Sequence, residues 1–321
     1  MAVRADTGAD LTIRPMGADD LDVADTVMRR AFGTLFGMPD PAAFMGDAEC
    51  VRTRWRTDPA GAFVAVVDGV VVGSGIASMW GSLGVVGPLT VSPEFWGRGI
   101  ASRLMEPVLG RFEERGVAHA GLFTVADSPQ HLHLYQKFDF WPGHLTAIMG
   151  MSVRGGTQGG GWTRYSDLAA GQRAACREAC RALTDAVCPG LDLGTEIEAA
   201  AAQALGETVL LVDGAALAGF AVCHCGGGTE AGSDACYIKF GAAAPGAGAA
   251  DRFGRLLDAC EALAAEAGLS RLVAGISTGQ HAAYRQMLAR GFAPEFLGVA
   301  MHRRDDPAYH RPDAHVIDDW R

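Results

Sequence analysis

Gly97 and Gly99 stand two residues apart where an apolar, β-branched run ends at Val91-Ser-Pro-Glu-Phe-Trp96 and an apolar-periodic stretch, Ile100-Ala-Ser-Arg-Leu-Met105, begins. Glycines at that spacing let backbone approach a ligand with no Cβ in the way, and a helix starting there offers unpaired N–H groups and a positive dipole end. The chemistry of such a cradle is the holding of an anion, above all a diphosphate. An ordinary strand-to-helix turn carries the same two glycines and no ligand, so the loop alone leaves both readings open. A dinucleotide fingerprint needs glycine where Ser102 stands, and the first acid at a following strand end, Asp127, lies too far on. A P-loop needs Gly-Lys-Ser/Thr, which does not follow.

The elements that must position this loop can be read in order. Leu11–Pro15 reads as a strand, and Asp19 and Asp20 offer acids to the start of a helix through Leu21, Val23, Val27 and Phe32. Residues 62–67 and 70–80 form a hairpin turning at Asp68-Gly69, and 83–92 is the strand that feeds the glycines. The helix after them runs from about Gly97 to Arg115 and stops at Gly116. A strand over 118–126 follows, then a helix with Ser128 at its cap and proline at its first turn, ended by Phe138-Asp-Phe140. The strand His144–Val153 completes a mixed α/β sheet with helices on both faces.

Trp96-Gly-Arg-Gly-Ile-Ala101 after a strand resembles motif A of the GNAT N-acetyltransferase superfamily, Gln/Arg-x-x-Gly-x-Gly/Ala, with Trp96 in the Gln/Arg place, Gly99 in the Gly place and Ala101 in the last. Leu134-Tyr-Gln-Lys-Phe-Asp-Phe140 resembles the superfamily's Leu-Tyr-x-Lys-x-Gly-Phe, with Asp139 in place of glycine, a substitution that a left-handed conformation tolerates. The two motifs come in the right order within an element sequence that matches from Leu11 to Val153.

The resemblance implies an acetyl-CoA-dependent N-acetyltransferase acting on a small-molecule amine, with no metal. It implies that the diphosphate rests on the amides of Gly97, Arg98, Gly99, Ile100, Ala101 and Ser102, and that Leu89, Thr90 and Val91 face the pantetheine, with Ser128 nearby. Arg98 and Arg103 add charge to the phosphates or are merely solvated. Tyr135, in the superfamily's tyrosine place, is the expected general acid for the leaving thiolate; its alternative is core packing beside Phe138 and Phe140. For the base, Glu94 and His131 are candidates, His131 sharing a helical face with Tyr135, and a water chain is the third route. The apolar loop residues Leu35, Phe36, Met38, Phe44 and Met45 fall where the superfamily's acceptor site lies, which predicts an apolar site.

Beyond a glycine-rich linker at 154–161, helices are expected over 168–187 and 195–205, and strands over 208–212, 216–225 and 235–240. A helix then opens at Pro245-Gly-Ala-Gly-Ala-Ala250. Gly246, Gly248 and Ala250 match Gly97, Gly99 and Ala101, so the chain reads as two tandem GNAT units, 1–153 and 162–303, the second degenerate but with a loop that still suits a coenzyme. Tyr284 lies as far beyond Gly248 as Tyr135 beyond Gly99, which suggests a second acid, but Gly268 and Phe292 match Gly116 and Phe140 only with three further residues of shift, which sets Met287 at the Tyr135 place, leaves Tyr284 one turn upstream and makes the second unit slow or inert. A tail, 304–321, ends in Val316-Ile-Asp-Asp-Trp320, a cluster expected to dock.

The 321 residues carry a formal charge of −10 with 27 Lys and Arg, which disfavours a nucleic-acid surface. No run approaches a membrane span and the N-terminus has no signal core, so a cytoplasmic protein is expected, with a homodimer open as its assembly. The eight cysteines lack paired zinc spacing and read as free thiols. Two other functions compete: an acyl-CoA-binding protein without turnover, and a nucleotide-dependent oxidoreductase, which the missing third glycine and the duplication weaken.

Overall fold

The computed structural model describes residues 10–154 and 161–321; most of the linker expected at 154–161 lies outside them. The first half runs β1 (Leu11–Pro15), α1 (Leu21–Leu35), α2 (Val51–Thr57), β2 (Ala62–Val67), β3 (Val70–Trp80), β4 (Leu83–Val91), α3 (Ile100–Glu114), β5 (His119–Val125), α4 (Pro129–Gln136) and β6 (Phe140–Ser152). The second half repeats the pattern: β7 (Trp162–Arg164), α5 (Ala170–Val187), α6 (Gly194–Ala202), β8 (Gly206–Asp213), β9 (Ala216–Gly226), β10 (Gly232–Ala243), α7 (Ala249–Glu266), β11 (Arg271–Ser277), α8 (His281–Arg290) and β12 (Ala293–Arg303). A short β13 (Val316–Ile317) closes the chain. Among the described residues no helix is long and apolar enough to cross a membrane.

Local chemistry sets these boundaries. Asp68 and Gly69 both take positive φ, as a two-residue hairpin loop requires, and Gly116 at φ +65° ends α3. Asp139 also sits at φ +66°, the left-handed turn that lets α4 give way to β6. β6 begins four residues earlier than the periodicity predicts because Phe140, Trp141 and Pro142 pair with β12.

The sheet does not break where the sequence divides into units. Its order is β1-β2-β3-β4-β5-β12-β6-β11-β10-β9-β8-β7. β12 of the second half lies antiparallel between β5 and β6, and β6 of the first half lies antiparallel between β12 and β11. The halves thus exchange their last strands about a pseudo-two-fold axis, and the boundary expected at Val153 is covalent only. Burial follows the exchange, since Ala147, Met149 and Met151 of β6 pack in the core of the second half, and Val299 and Met301 of β12 in that of the first.

Each half contains one parallel pair that opens into a cleft. β4 and β5 pair only from Leu83–His119 to Val86–Leu122, and β10 and β11 only from Ala235–Arg271 to Ile238–Ala274. The last pairs, Val86–Leu122 and Ile238–Ala274, are related by one offset of 152 residues, and so are the starts of α4 and α8.

Candidate active site

The glycine loop sits at the mouth of the first cleft. Gly97 and Gly99 both hold φ +77°, a region that L side chains rarely adopt, and a Cβ built on either meets no atom of the described residues within 4 Å. Gly99 is the N-cap of α3, so the amides of Ile100, Ala101 and Ser102 lack intrahelical partners and border a groove of about 340 Å³. Arg98 lines that groove, packed over the Phe95 ring at 4.8 Å, with His133 and Lys137 on the far rim. Arg103 does not join it; it pairs with Glu106 on the exposed face of α3.

One wall of the groove is the splayed part of β4. The Ser92 amide donates to the Val72 carbonyl at 2.8 Å, so by strand alternation Thr90 also faces β3, while Leu89 and Val91 turn their backbone groups to the cleft. The Trp96 indole donates to the Val91 carbonyl at 2.6 Å. Tryptophan in this position therefore ties the loop to the strand instead of presenting a polar group to a ligand. The Leu89 N–H and C=O and the Val91 N–H stay available along the open edge.

The groove meets a second cavity at α4. Ser128 caps this helix through the His131 amide, and Pro129 starts it. His131 and Tyr135, one turn apart, line both the groove and a second cavity of about 490 Å³ behind it. Burial holds the Tyr135 phenol well above its usual pKa, hence protonated, and pushes the His131 imidazole below its usual value, hence neutral. His131 Nδ1 is buried with no partner among the described residues. Glu94 stands apart from the pair: it lines neither space, and it sits on the surface, accepting from Ser92 Oγ at 2.5 Å and paired with Arg30 at 2.7 Å. Those contacts, the Ser92 hydroxyl first, hold its carboxyl below the usual range.

The second cavity is walled by aromatic rings. Phe36 stacks on Phe44 at 5.7 Å and meets Phe296 edge-on at 5.5 Å, and Phe296 meets Phe123 at 6.0 Å. Leu35, Met38 and Met45 complete this side. Arg29 fixes the loop that bears Phe44, donating to the carbonyls of Phe44, Gly46 and Ala48 at 2.6–2.7 Å.

The floor is ionic and comes from both halves. Arg54 of α2 forks onto Glu230 at 3.1 and 2.7 Å and donates to the Gly87 carbonyl at 2.9 Å. Lys239 of β10 reaches Glu230 at 2.5 Å and Glu196 at 3.5 Å, and the Trp80 indole donates to Glu196 at 2.9 Å. All four charged groups are buried. Burial opposes the Glu230 charge, yet Arg54 and Lys239 hold its carboxyl well below the usual range. Sequence reading missed this floor, together with Phe296, Tyr237, Trp320 and Arg321: Phe296 arrives on the exchanged β12, Glu230 and Tyr237 from the β9–β10 hairpin of the second half, and Trp320 and Arg321 on the tail.

The second cleft has a like loop and a different content. Gly248 at φ +80° caps α7 as Gly99 caps α3, with Gly246 and Ala250 on either side. Arg252 folds over this loop, donating to the Ala244 carbonyl from Nε and Nη2 at 3.0 and 2.8 Å. Met287, fully buried, stands 152 residues beyond Tyr135. Between the splayed strands lies the tail: Val316 and Ile317 pair antiparallel with Ala242 and Gly241 of β10.

Residues 27–140 match the model of the Acetyltransferase (GNAT) family. Solved structures share the fold over nearly the whole chain. A Pyrococcus horikoshii protein provisionally called an acetyltransferase is 15% identical with a TM-score of 0.68, covering 97% of this chain and 95% of its own. A GCN5-related N-acetyltransferase from Sphaerobacter thermophilus is 14% identical with a TM-score of 0.58, covering 91% and 95%. One from Kribbella flavida is 17% identical with a TM-score of 0.51, covering 93% of this chain and 72% of its own. No curated protein matches the sequence.

Proposed function

We propose, from the match of residues 27–140 to the acetyltransferase (GNAT) family model, that this chain transfers an acyl group from acyl-CoA to the amine of a small molecule with an apolar body, at the junction of the first groove and the aromatic cavity. The observation that carries this reading is that His131 and Tyr135 line both spaces at once. A thioester laid along β4 brings its carbonyl to the wall that two differently shaped spaces share, where His131 and Tyr135 stand with Phe32, Leu35 and Leu89, one space suited to a diphosphate and pantetheine, the other to an acceptor.

Transfer forms a C–N bond, breaks the C–S bond, takes a proton from the amine and gives one to the thiolate. The neutral His131 imidazole is the base within reach of an amine entering from the cavity. The protonated Tyr135 phenol supplies the proton that the sulfur needs. The free β4 edge gives donors for the thioester carbonyl, which develops negative charge as the amine attacks. No resident metal is needed for these steps. The cavity falls in the usual size range of about 300–1,000 Å³ for small-ligand pockets, and its aromatic wall favours acceptors such as arylalkylamines over sugars.

The test is thiol release from acetyl-CoA across a panel of amines, with the acylated product identified by mass spectrometry. Turnover with apolar primary amines above polar ones supports the reading. Tight acetyl-CoA binding with no thiol released by any amine leaves the non-catalytic binding role in its place.

A further inference from the structure

The segment after β12 does more than cover the sheet. Beyond the Val316–Ala242 and Ile317–Gly241 pairs, the Ala243 amide donates to the His315 carbonyl at 3.1 Å, the Val316 amide to the Gln280 side-chain carbonyl at 3.0 Å, and the Asp318 amide to the Gly275 carbonyl at 2.9 Å. These contacts take up both splayed strands. In the first unit the positions equivalent to Gly241 and Ala242, by the 152-residue offset, are Leu89 and Thr90, the stretch proposed to face pantetheine. The tail thus lies where an acyl-CoA arm would lie in the second unit.

The cleft is shaped for it. A methyl at Gly275 of β11 would overlap the Asp319 side chain, and one at Gly121 of β5 would overlap the Trp320 ring. The Tyr237 hydroxyl donates to Asp319 at 3.0 Å, and the Trp320 indole donates to the Tyr309 hydroxyl at 2.6 Å. Asp319 in turn accepts from Arg321 Nε at 2.9 Å, and the Arg321 guanidinium lies over the Tyr237 ring at 4.4 Å. The far end of this chain of contacts is the first unit's aromatic cavity, which Trp320 and Arg321 line.

We propose that the second cleft is the receptor for the segment His315–Arg321 and not a coenzyme site, and that its work is to hold Trp320 and Arg321 as the inner wall of the first unit's acceptor cavity. The second half of the proposal rests on the acyltransfer reading given above. Gly275 and Gln280 are then positioning residues, and Trp320 and Arg321 set acceptor specificity. The expectation that the Gly246–Ala250 loop still suits a coenzyme is replaced by a single coenzyme site per chain.

Three measurements decide it. Calorimetry of the full chain with CoA is expected to give one site, abolished by Gly99→Val; a second site abolished by Gly248→Val overturns the proposal. Hydrogen exchange is expected to show amides 316–318 protected in the wild type and faster in Gly275→Ala; unprotected wild-type amides overturn it. In the thiol-release assay Gly275→Ala and Arg321→Ala are each expected to raise the acceptor KM about tenfold or more, with kcat and CoA affinity within about threefold, the split produced by loss of binding alone. A loosened tail with an unchanged acceptor KM overturns the proposal. Arg321→Ala serves where Gly275→Ala fails to fold, because that side chain is one-third exposed and its removal leaves the glycine contacts in place. If CoA binds nowhere, the acyltransfer reading falls, and hydrogen exchange still decides the docking.

Discussion

Met287 stands in the second unit where Tyr135 stands in the first, each buried at the same turn of the helix that follows the parallel strand pair. One bears a hydroxyl at the edge of an open cavity; the other bears a thioether beneath a cleft filled by the chain's own tail. Methionine cannot donate a proton, so on the proposed reading the second unit lacks the acid that Tyr135 supplies in the first.

Tyr135→Phe keeps the ring and removes the proton. Turnover should fall by about 10²–10⁴-fold while CoA affinity stays near wild type. Steady-state kinetics with calorimetry on the same preparation check this, and turnover near wild type would reduce Tyr135 to packing.

Arg54 joins α2 to Glu230 of the other half inside the ionic floor. Arg54→Met leaves the Glu230 and Glu196 carboxylates buried with Lys239 alone, and the cost should be about 3–5 kcal/mol. Arg54→Met with Glu230→Leu should recover much of that loss, because no excess charge is then buried. Denaturant midpoints of the two variants decide it: equal losses would mean that shape, not charge, holds this floor.

Stability should peak near neutral pH. Burial pushes His224 and His302 down to about 4, so the unfolded chain binds more protons than the folded one between about 4 and the usual histidine value near 6.5, and stability rises with pH there. Asp318 runs the other way. Burial first, then the neighbouring Asp319 charge, pushes its carboxyl up to about 8, so the folded chain holds the extra proton and stability falls with pH until about 8. Above about 6.5 only the second effect remains of the two. Thermal midpoints should therefore decline from about pH 6.5 to 8 in the wild type and stay level in Asp318→Asn, which mimics the neutral acid. An unchanged slope in the variant would remove Asp318 from this account.

The glycine loop and α4 were legible because their signals are local: two glycines before an apolar period, a serine cap, a proline at the first turn. The three-residue slip between repeats, readable from Gly268 and Phe292, already set Met287 against Tyr135. The sheet order was not legible, since alternation in 140–152 and 293–303 marks strands without naming partners, and each of the two strands pairs only with strands of the other half. The cavity suffered from the same limit. Leu35, Phe36, Met38, Phe44 and Met45 were expected at an apolar site, while Glu230, Tyr237, Phe296, Trp320 and Arg321 arrive from the opposite end of the chain. Nearness to the loop in sequence said nothing of the direction of Glu94, which Ser92 and Arg30 fix outward.

The most direct test of the account compares Gly99→Val with Gly248→Val, assayed for thiol release with the same acceptor. Both positions hold positive φ, so both substitutions strain their loops, the Cβ at Gly248 also meeting Arg252 Nη1 at 3.2 Å, and circular dichroism controls for folding. The account predicts that Gly99→Val loses coenzyme binding and turnover together, while Gly248→Val keeps both. Loss of activity in Gly248→Val with activity retained in Gly99→Val would contradict it, placing catalysis in the cleft that the tail fills.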